Sequence, residues 1–223
     1  MHKFDTPAPI SAVLDIPAGR VRFVAADRAD TTVEVLPADA SKGRDVKAAE
    51  QITVEYSGGV LRIEAAPANS RILGGSGSVE VTVRLPAGSG VEAKAADAEF
   101  RGVGRLGDVA FEGAHGSVTL EEAASARLTV LDGDVFVGRL GGPAQINTRR
   151  GDIRIAEAMR GTLVLDTRAG HVSVDTAPGA SASLDAGTTH GRIHNALKNT
   201  DGTAAELNIH ATTATGDITA RSL

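Results

Sequence analysis

Glycine recurs through the second half of the chain at the head of one five-residue phrase. Gly116-Ser-Val-Thr-Leu, Gly133-Asp-Val-Phe-Val, Gly151-Asp-Ile-Arg-Ile, Gly170-His-Val-Ser-Val, Gly191-Arg-Ile-His-Asn and Gly216-Asp-Ile-Thr-Ala stand in register, at successive spacings of 17, 18, 19, 21 and 25 residues. Gly107-Asp-Val-Ala-Phe is a compressed further copy. A second register precedes each glycine at seven, five and three positions: Ala126, Leu128, Val130; Ala144, Ile146, Thr148; Leu163, Leu165, Thr167; Leu184, Ala186, Thr188; Ile209, Ala211, Thr213. Each unit therefore reads as an alternating strand, a short corner and a second alternating strand.

The corner follows from parity. Inward positions sit at odd offsets before the glycine and at even offsets after it, and a continuous strand cannot change parity. A non-extended residue has to absorb the shift, and glycine does so at least cost. Thr148, Thr167, Thr188 and Thr213, each three residues ahead of Gly151, Gly170, Gly191 and Gly216, can turn a hydroxyl toward the backbone of the corner. These four Thr–Gly pairs are bend instructions.

Units of this length can stack as a parallel β-solenoid or run as an antiparallel meander. Vertical repetition of one residue type, such as the threonine column, favours the solenoid, because like side chains then pack on each other. Residues 1–90 are rich in strands but lack the glycine register. Ala12–Ile16, Val21–Val24, Thr32–Leu36, Ile52–Tyr56, Val60–Ile63 and Val79–Val83 read as strands, Ser57-Gly-Gly as a hairpin turn, and Asp39–Glu50 as a surface loop or short helix. The expected organisation is all-β: irregular N-terminal coils (1–90) capping regular solenoid repeats (91–223).

The Leu85-Pro-Ala-Gly corner leading into the repeated G-D-[IV]-x-[IV] phrases resembles the bacterial β-strand-repeat family of toastrack domains, to which the word adhesin is attached. The resemblance is best over residues 79–223. It implies a right-handed β-helix-like roll and an association, in some relatives, with envelope-stress components. It brings no catalytic residues, so none are carried over.

Composition narrows the function. A net charge of −5 and a pI near 5.7 count against a generic nucleic-acid binder. With no cysteine there is no thiolate metal site or disulfide, which fits a reducing compartment. The first residues hold no apolar stretch of signal-peptide length, and no later segment is long enough to span a bilayer, so a cytoplasmic protein without direct membrane insertion is expected. One Tyr and no Trp leave little for stacking on sugars.

The residue after each glycine makes a polar row: Ser117, Asp134, Asp152, His171, Arg192, Asp217. The residue before it makes another: His115, Asp132, Arg150, Ala169, His190, Thr215. Stacked in sequence order, Asp152, His171 and Arg192 would form a mixed-charge ladder. Asp134, Arg150, Asp152, His171, His190, Arg192 and Asp217 are therefore the candidate binding residues, with His171 and His190 as the acid–base groups of any enzyme built there. The plainer reading is that exposed corners need polar residues whose alternating signs relieve repulsion. Histidine spacing suits no metal, the glycine-rich Ile72–Val79 stretch has no helix after it to hold a phosphate, and no cofactor is expected. The leading expectation is a non-catalytic scaffold binding an unidentified protein or a second copy of itself. The alternative is an enzyme or small-ligand binder using a groove beside Arg150, Asp152, His171 and Arg192. The tripeptide Arg150-Gly151-Asp152, which integrins read on adhesive proteins, is one copy of a corner in which only glycine is held.

Overall fold

The computed structural model describes residues 1–65, 77–198 and 205–223. Most of the glycine-rich Ile72–Val79 stretch lies outside the described residues. The chain divides into two compact units, Met1–Gly116 and Ser117–Leu223.

The first unit holds β1 (His2–Asp5), β2 (Ser11–Ala26), β3 (Asp30–Pro37), α1 (Gly43–Glu50), β4 (Ile52–Ser57), β5 (Val60–Ala65), β6 (Val79–Pro86) and β7 (Gly90–His115). The long β2 is its spine. β5 and β6 pair in parallel with successive stretches of β2, and β7 pairs in parallel along most of its length. β3 is antiparallel to β1 and β6, and β4 to β5, so parallel and antiparallel pairing mix here. Gly58 and Gly59 both take positive φ (57° and 81°) in the two-residue turn of the β4–β5 hairpin, the conformation that Ser57-Gly-Gly predicts. Of the stretch Asp39–Glu50, Gly43–Glu50 forms α1. Phe23, Phe100 and Phe111 pack with tilted rings at centroid distances of 5.7 and 5.0 Å in the core, and Phe4 meets Tyr56 at 5.4 Å.

The second unit holds β8 (Val118–Asp132), β9 (Val135–Leu140), β10 (Ala144–Arg150), β11 (Ile153–Ala158), β12 (Gly161–Ala169), β13 (Val172–Thr176), β14 (Ala182–His190), β15 (Ile193–Ala196), β16 (Leu207–Thr215) and β17 (Ile218–Ser222). All its strands pair in parallel, rung on rung, as a solenoid requires. The predicted inward columns are the core: Leu128, Ile146, Leu165 and Ile209 before the corners, Val137, Ile155, Val174 and Ala220 after them, all essentially inaccessible to solvent.

The rungs do not stack in chain order. β12 pairs with β16 and β13 with β17, while β14 and β15 pair only with β16 and β17 among the described strands. The corner units therefore stack as Gly133, Gly151, Gly170, Gly216, Gly191. Burial explains the inversion. In the inward columns β16 and β17 offer Leu207, Ile209, Ala211, Ile218 and Ala220, all buried. β14 and β15 offer Ala182, which is buried, and Leu184, Ala186, Ile193 and Asn195, which are half-buried or exposed. Asn195 Oδ1 accepts from the Leu197 N–H (3.0 Å), but in an interior rung its amide donors would lose water without a partner, which costs about 1–3 kcal/mol. The outermost rung spares Asn195 that cost.

Asp175 fixes the order from the other side. Its buried carboxylate takes two bonds from Arg221 (Nε 2.6 Å, Nη2 2.8 Å), joining β13 to β17. The residue of β15 in register with Arg221 is Ala196, which could not serve.

Glycine is required at these corners for space as well as for conformation. At Gly170 (φ 158°) an added Cβ would lie 2.0 Å from the carbonyl oxygen of Gly151, and at Gly216 (φ 146°) equally close to that of Gly170. Gly170→Ala is expected to lower unfolding stability by more than about 3 kcal/mol. Gly187→Ala, where the nearest atom is a side-chain methyl at 4.0 Å, should be nearly neutral. Urea denaturation of the two variants checks the contrast.

Candidate functional site

The chain spends its corner polar groups in a fixed pattern. The N–H of each corner glycine donates to the carbonyl just ahead of the next rung's glycine: Gly133 to Arg150, Gly151 to Ala169, Gly170 to Thr215, Gly216 to His190. The N–H two residues after the glycine donates to the next rung as well: Val135 to Asp152, Ile153 to His171, Val172 to Asp217, Ile218 to Arg192. The glycine carbonyl accepts a threonine hydroxyl from the following rung. Thr167 donates to Gly151 (3.1 Å), Thr213 to Gly170 (3.1 Å) and Thr188 to Gly216 (3.0 Å). Thr148 divides its hydroxyl between Gly133 (3.5 Å) and Arg150 of its own corner (3.2 Å). All four threonines thus serve the corner, and they do so across rungs.

The N–H directly after the glycine is left over, and the predicted polar row supplies it. Asp134 Oδ1 accepts from Asp152 N–H (2.8 Å), Asp152 Oδ1 from His171 N–H (2.7 Å), His171 Nδ1 from Asp217 N–H (2.9 Å), and Asp217 Oδ1 from Arg192 N–H (2.8 Å). Each side chain satisfies the backbone of the next rung. An imidazole that accepts at Nδ1 carries its proton on Nε2. The sequence-ordered ladder needs one correction: His171 is followed by Asp217 and not by Arg192, because the Gly216 corner lies between.

Asp217 also takes Arg192 Nη2 at 3.1 Å. These bonds from the Arg192 N–H and guanidinium hold its carboxyl below the usual carboxylate range. In the row ahead of the glycines, Arg150 makes a two-pronged pair with Asp132 (Nε–Oδ1 and Nη2–Oδ2, both 2.5 Å), which raises the pKa of the guanidinium. His190 stands in register with Thr215 on the outermost rung. The seven candidate residues share one edge, but His171 and His190 lie in different columns with the Gly216 corner between them. His171, Asp152, Arg150 and Arg192 are spent on neighbouring rungs, and all are exposed at the corner. Arg150 and Asp152 of the integrin-type tripeptide are both engaged within the stack.

The repeat pattern does not draw attention to the column two residues ahead of each glycine. There Arg149 and Arg168 stand on adjacent rungs, and Thr-Arg-Arg-Gly above Thr-Arg-Ala-Gly is the signal that marks them. Among the described residues no group of three or more His, Cys, Asp or Glu could hold a metal ion, and no helix is long and apolar enough to cross a membrane.

Comparison with known proteins agrees with the repeat. The family described as Toastrack DUF4097 matches residues 13–222. Among solved structures, a candidate adhesin from Bacteroides fragilis is 12% identical, covers 98% of this chain and 95% of its own, and superposes with a TM-score of 0.48. A candidate adhesin from Parabacteroides distasonis is 15% identical over 100% of this chain and 95% of its own, at 0.41. A candidate cell adhesion protein from Clostridium sporogenes is 11% identical over 100% and 98%, at 0.37. Such distant likenesses assign no function. No curated protein matches the chain.

Removing one acceptor from the row should cost stability in a way that keeps track of chemistry. His171→Asn, which retains an acceptor, is expected to stay near wild type, whereas His171→Arg leaves the Asp217 N–H unmet and should cost about 1 kcal/mol. For Asp217 the folded pKa is depressed, so its contribution is present above the ordinary carboxylate pKa and lost as pH falls through the lower folded value. Wild type should be more stable than Asp217→Asn at pH 7, with the gap closing in acid below about pH 4. Denaturation midpoints across that range check it.

Proposed function

The chain belongs to the Toastrack DUF4097 family, and from that membership we propose that it is a non-catalytic β-solenoid scaffold whose flat outer faces bind another protein. The observation that carries the reading is the internal use of the corner polar groups. Asp134, Asp152, His171 and Asp217 already hold the backbone of the next rung, and His190, the other acid–base candidate, lies in a different column on the rung beyond Gly216. A group committed to an architectural bond is poorly placed to exchange protons with a substrate.

The outer faces support it further. Leu131 on β8 and Val164 on β12 are 43% and 42% exposed on the outward side of one ladder, and Phe136 is exposed on the outward side of the other. Scattered apolar residues on a rigid, regular sheet suit a protein partner of modest hydrophobicity. Self-association through the same face is a special case.

The test is capture from native lysate with the full chain. A specific protein should be retained by wild type and lost by Leu131→Asp/Val164→Asp, with the melting temperature of the double variant unchanged. Recovery of no specific protein, with a small molecule copurifying instead, would favour a ligand-binding or enzymatic role beside Arg150, Asp152, His171 and Arg192.

A further inference from the structure

Charged side chains that meet across rungs of the solenoid do so mostly in opposite signs. Arg150 faces Asp132, Arg139 faces Glu157, Arg221 faces Asp175 and Arg192 faces Asp217. The step from Asp134 to Asp152 joins like charges, but a side-chain-to-backbone bond offsets it. Arg149 and Arg168 depart from the pattern. Their strands pair in parallel with Thr148 opposite Thr167 and Arg150 opposite Ala169, so the two arginines lie side by side on the outward face. Both are exposed. Their Cα atoms are separated by one strand spacing, about 4.8 Å.

Like charges placed directly opposite on a sheet are destabilising. The column brings no counter-charge on either side, since the rung before offers Leu131 and the rung after offers Ala214. Two residues back on the same face, Asn147 stands opposite Asp166. Asn147 adds amide donors beside Arg149. Asp166 offsets one of the two charges only at about 7 Å along the strand. A rigid frame thus holds two guanidinium groups where an external anion would relieve their repulsion.

We propose that Arg149 and Arg168 form a binding site for a dianionic tetrahedral oxyanion, a phosphate group. Guanidinium presents paired N–H donors that match two oxygens of one anion. A tetrahedral anion has separate edges for two guanidiniums a rung apart, and its double charge matches theirs. A carboxylate has one such edge and one charge. The inference stands apart from the protein-partner reading and survives its failure.

The test titrates inorganic phosphate into the full chain at constant ionic strength, followed by backbone amide NMR shifts. Saturable shifts should centre on residues 147–150 and 166–169, sulfate should compete and acetate should not. Arg168→Gln and Arg149→Gln should each weaken binding by at least about tenfold. Without phosphate both variants should melt at or above the wild-type temperature, because repulsion has been removed. Phosphoserine and glycerol 3-phosphate, titrated in parallel, identify an amino-acid or a lipid carrier by whichever binds more tightly. Phosphate shifts that persist in Arg149→Gln/Arg168→Gln, or acetate matching phosphate, would overturn the proposal.

Discussion

The backbone N–H that follows each corner glycine is the group on which the second unit depends. A parallel ladder satisfies strand backbone without help, but at a corner the chain bends and one donor falls outside the ladder. The preceding rung must present an acceptor there, and Asp134, Asp152, His171 and Asp217 each do. The same corner requires a glycine, because the previous glycine carbonyl occupies the position of a Cβ, and it rewards a threonine whose hydroxyl reaches that carbonyl. One geometric constraint thus selects three residues of the repeat at once.

It also accounts for the order of the rungs. Arginine has donors and no acceptor, so Arg192 cannot follow His171 and then serve the Asp217 N–H. Placed last in the stack it needs only to receive an acceptor, and Asp217 provides one. Asn195, exposed in an inward column, and Asp175, buried and paired with Arg221, ask for the same placement. Polar demands at single positions therefore override the simplest path of the chain, which would lay each coil on the one before it.

Much of this architecture is legible in the amino-acid sequence alone. The glycine and threonine columns mark the corners, the parity of apolar positions marks the core, and the vertical likeness of Thr148, Thr167 and Thr213 points to parallel stacking. The inversion is also written in Arg192 and Asn195, but periodicity carries no information about which coil neighbours which. That depends on whether a side chain can accept a bond and on whether it can bear burial. The N-terminal unit is less legible because β2 pairs with three later strands over different stretches, a long-range arrangement without a local signature. The polar row is visible as a row, while its role in satisfying backbone donors depends on distances that no spacing encodes. Arg149 and Arg168 escape notice because outward columns are variable. The glycine register aligns them, but their like charge gains meaning only when β10 and β12 are neighbours in parallel.

The claim most open to direct contradiction is the corner order Gly133, Gly151, Gly170, Gly216, Gly191. The chain has no cysteine, so engineered pairs report neighbours without background. Asp166 is the register partner of Thr212 on β16, and Gly187 of β14 is the next residue in that column. Two cysteines one rung apart fall within disulfide reach, and two rungs, at about 10 Å, do not. Oxidation should close the disulfide in Asp166→Cys/Thr212→Cys and leave Asp166→Cys/Gly187→Cys reduced. Closure of the second pair and not the first would show that the coils stack in chain order and would contradict the account.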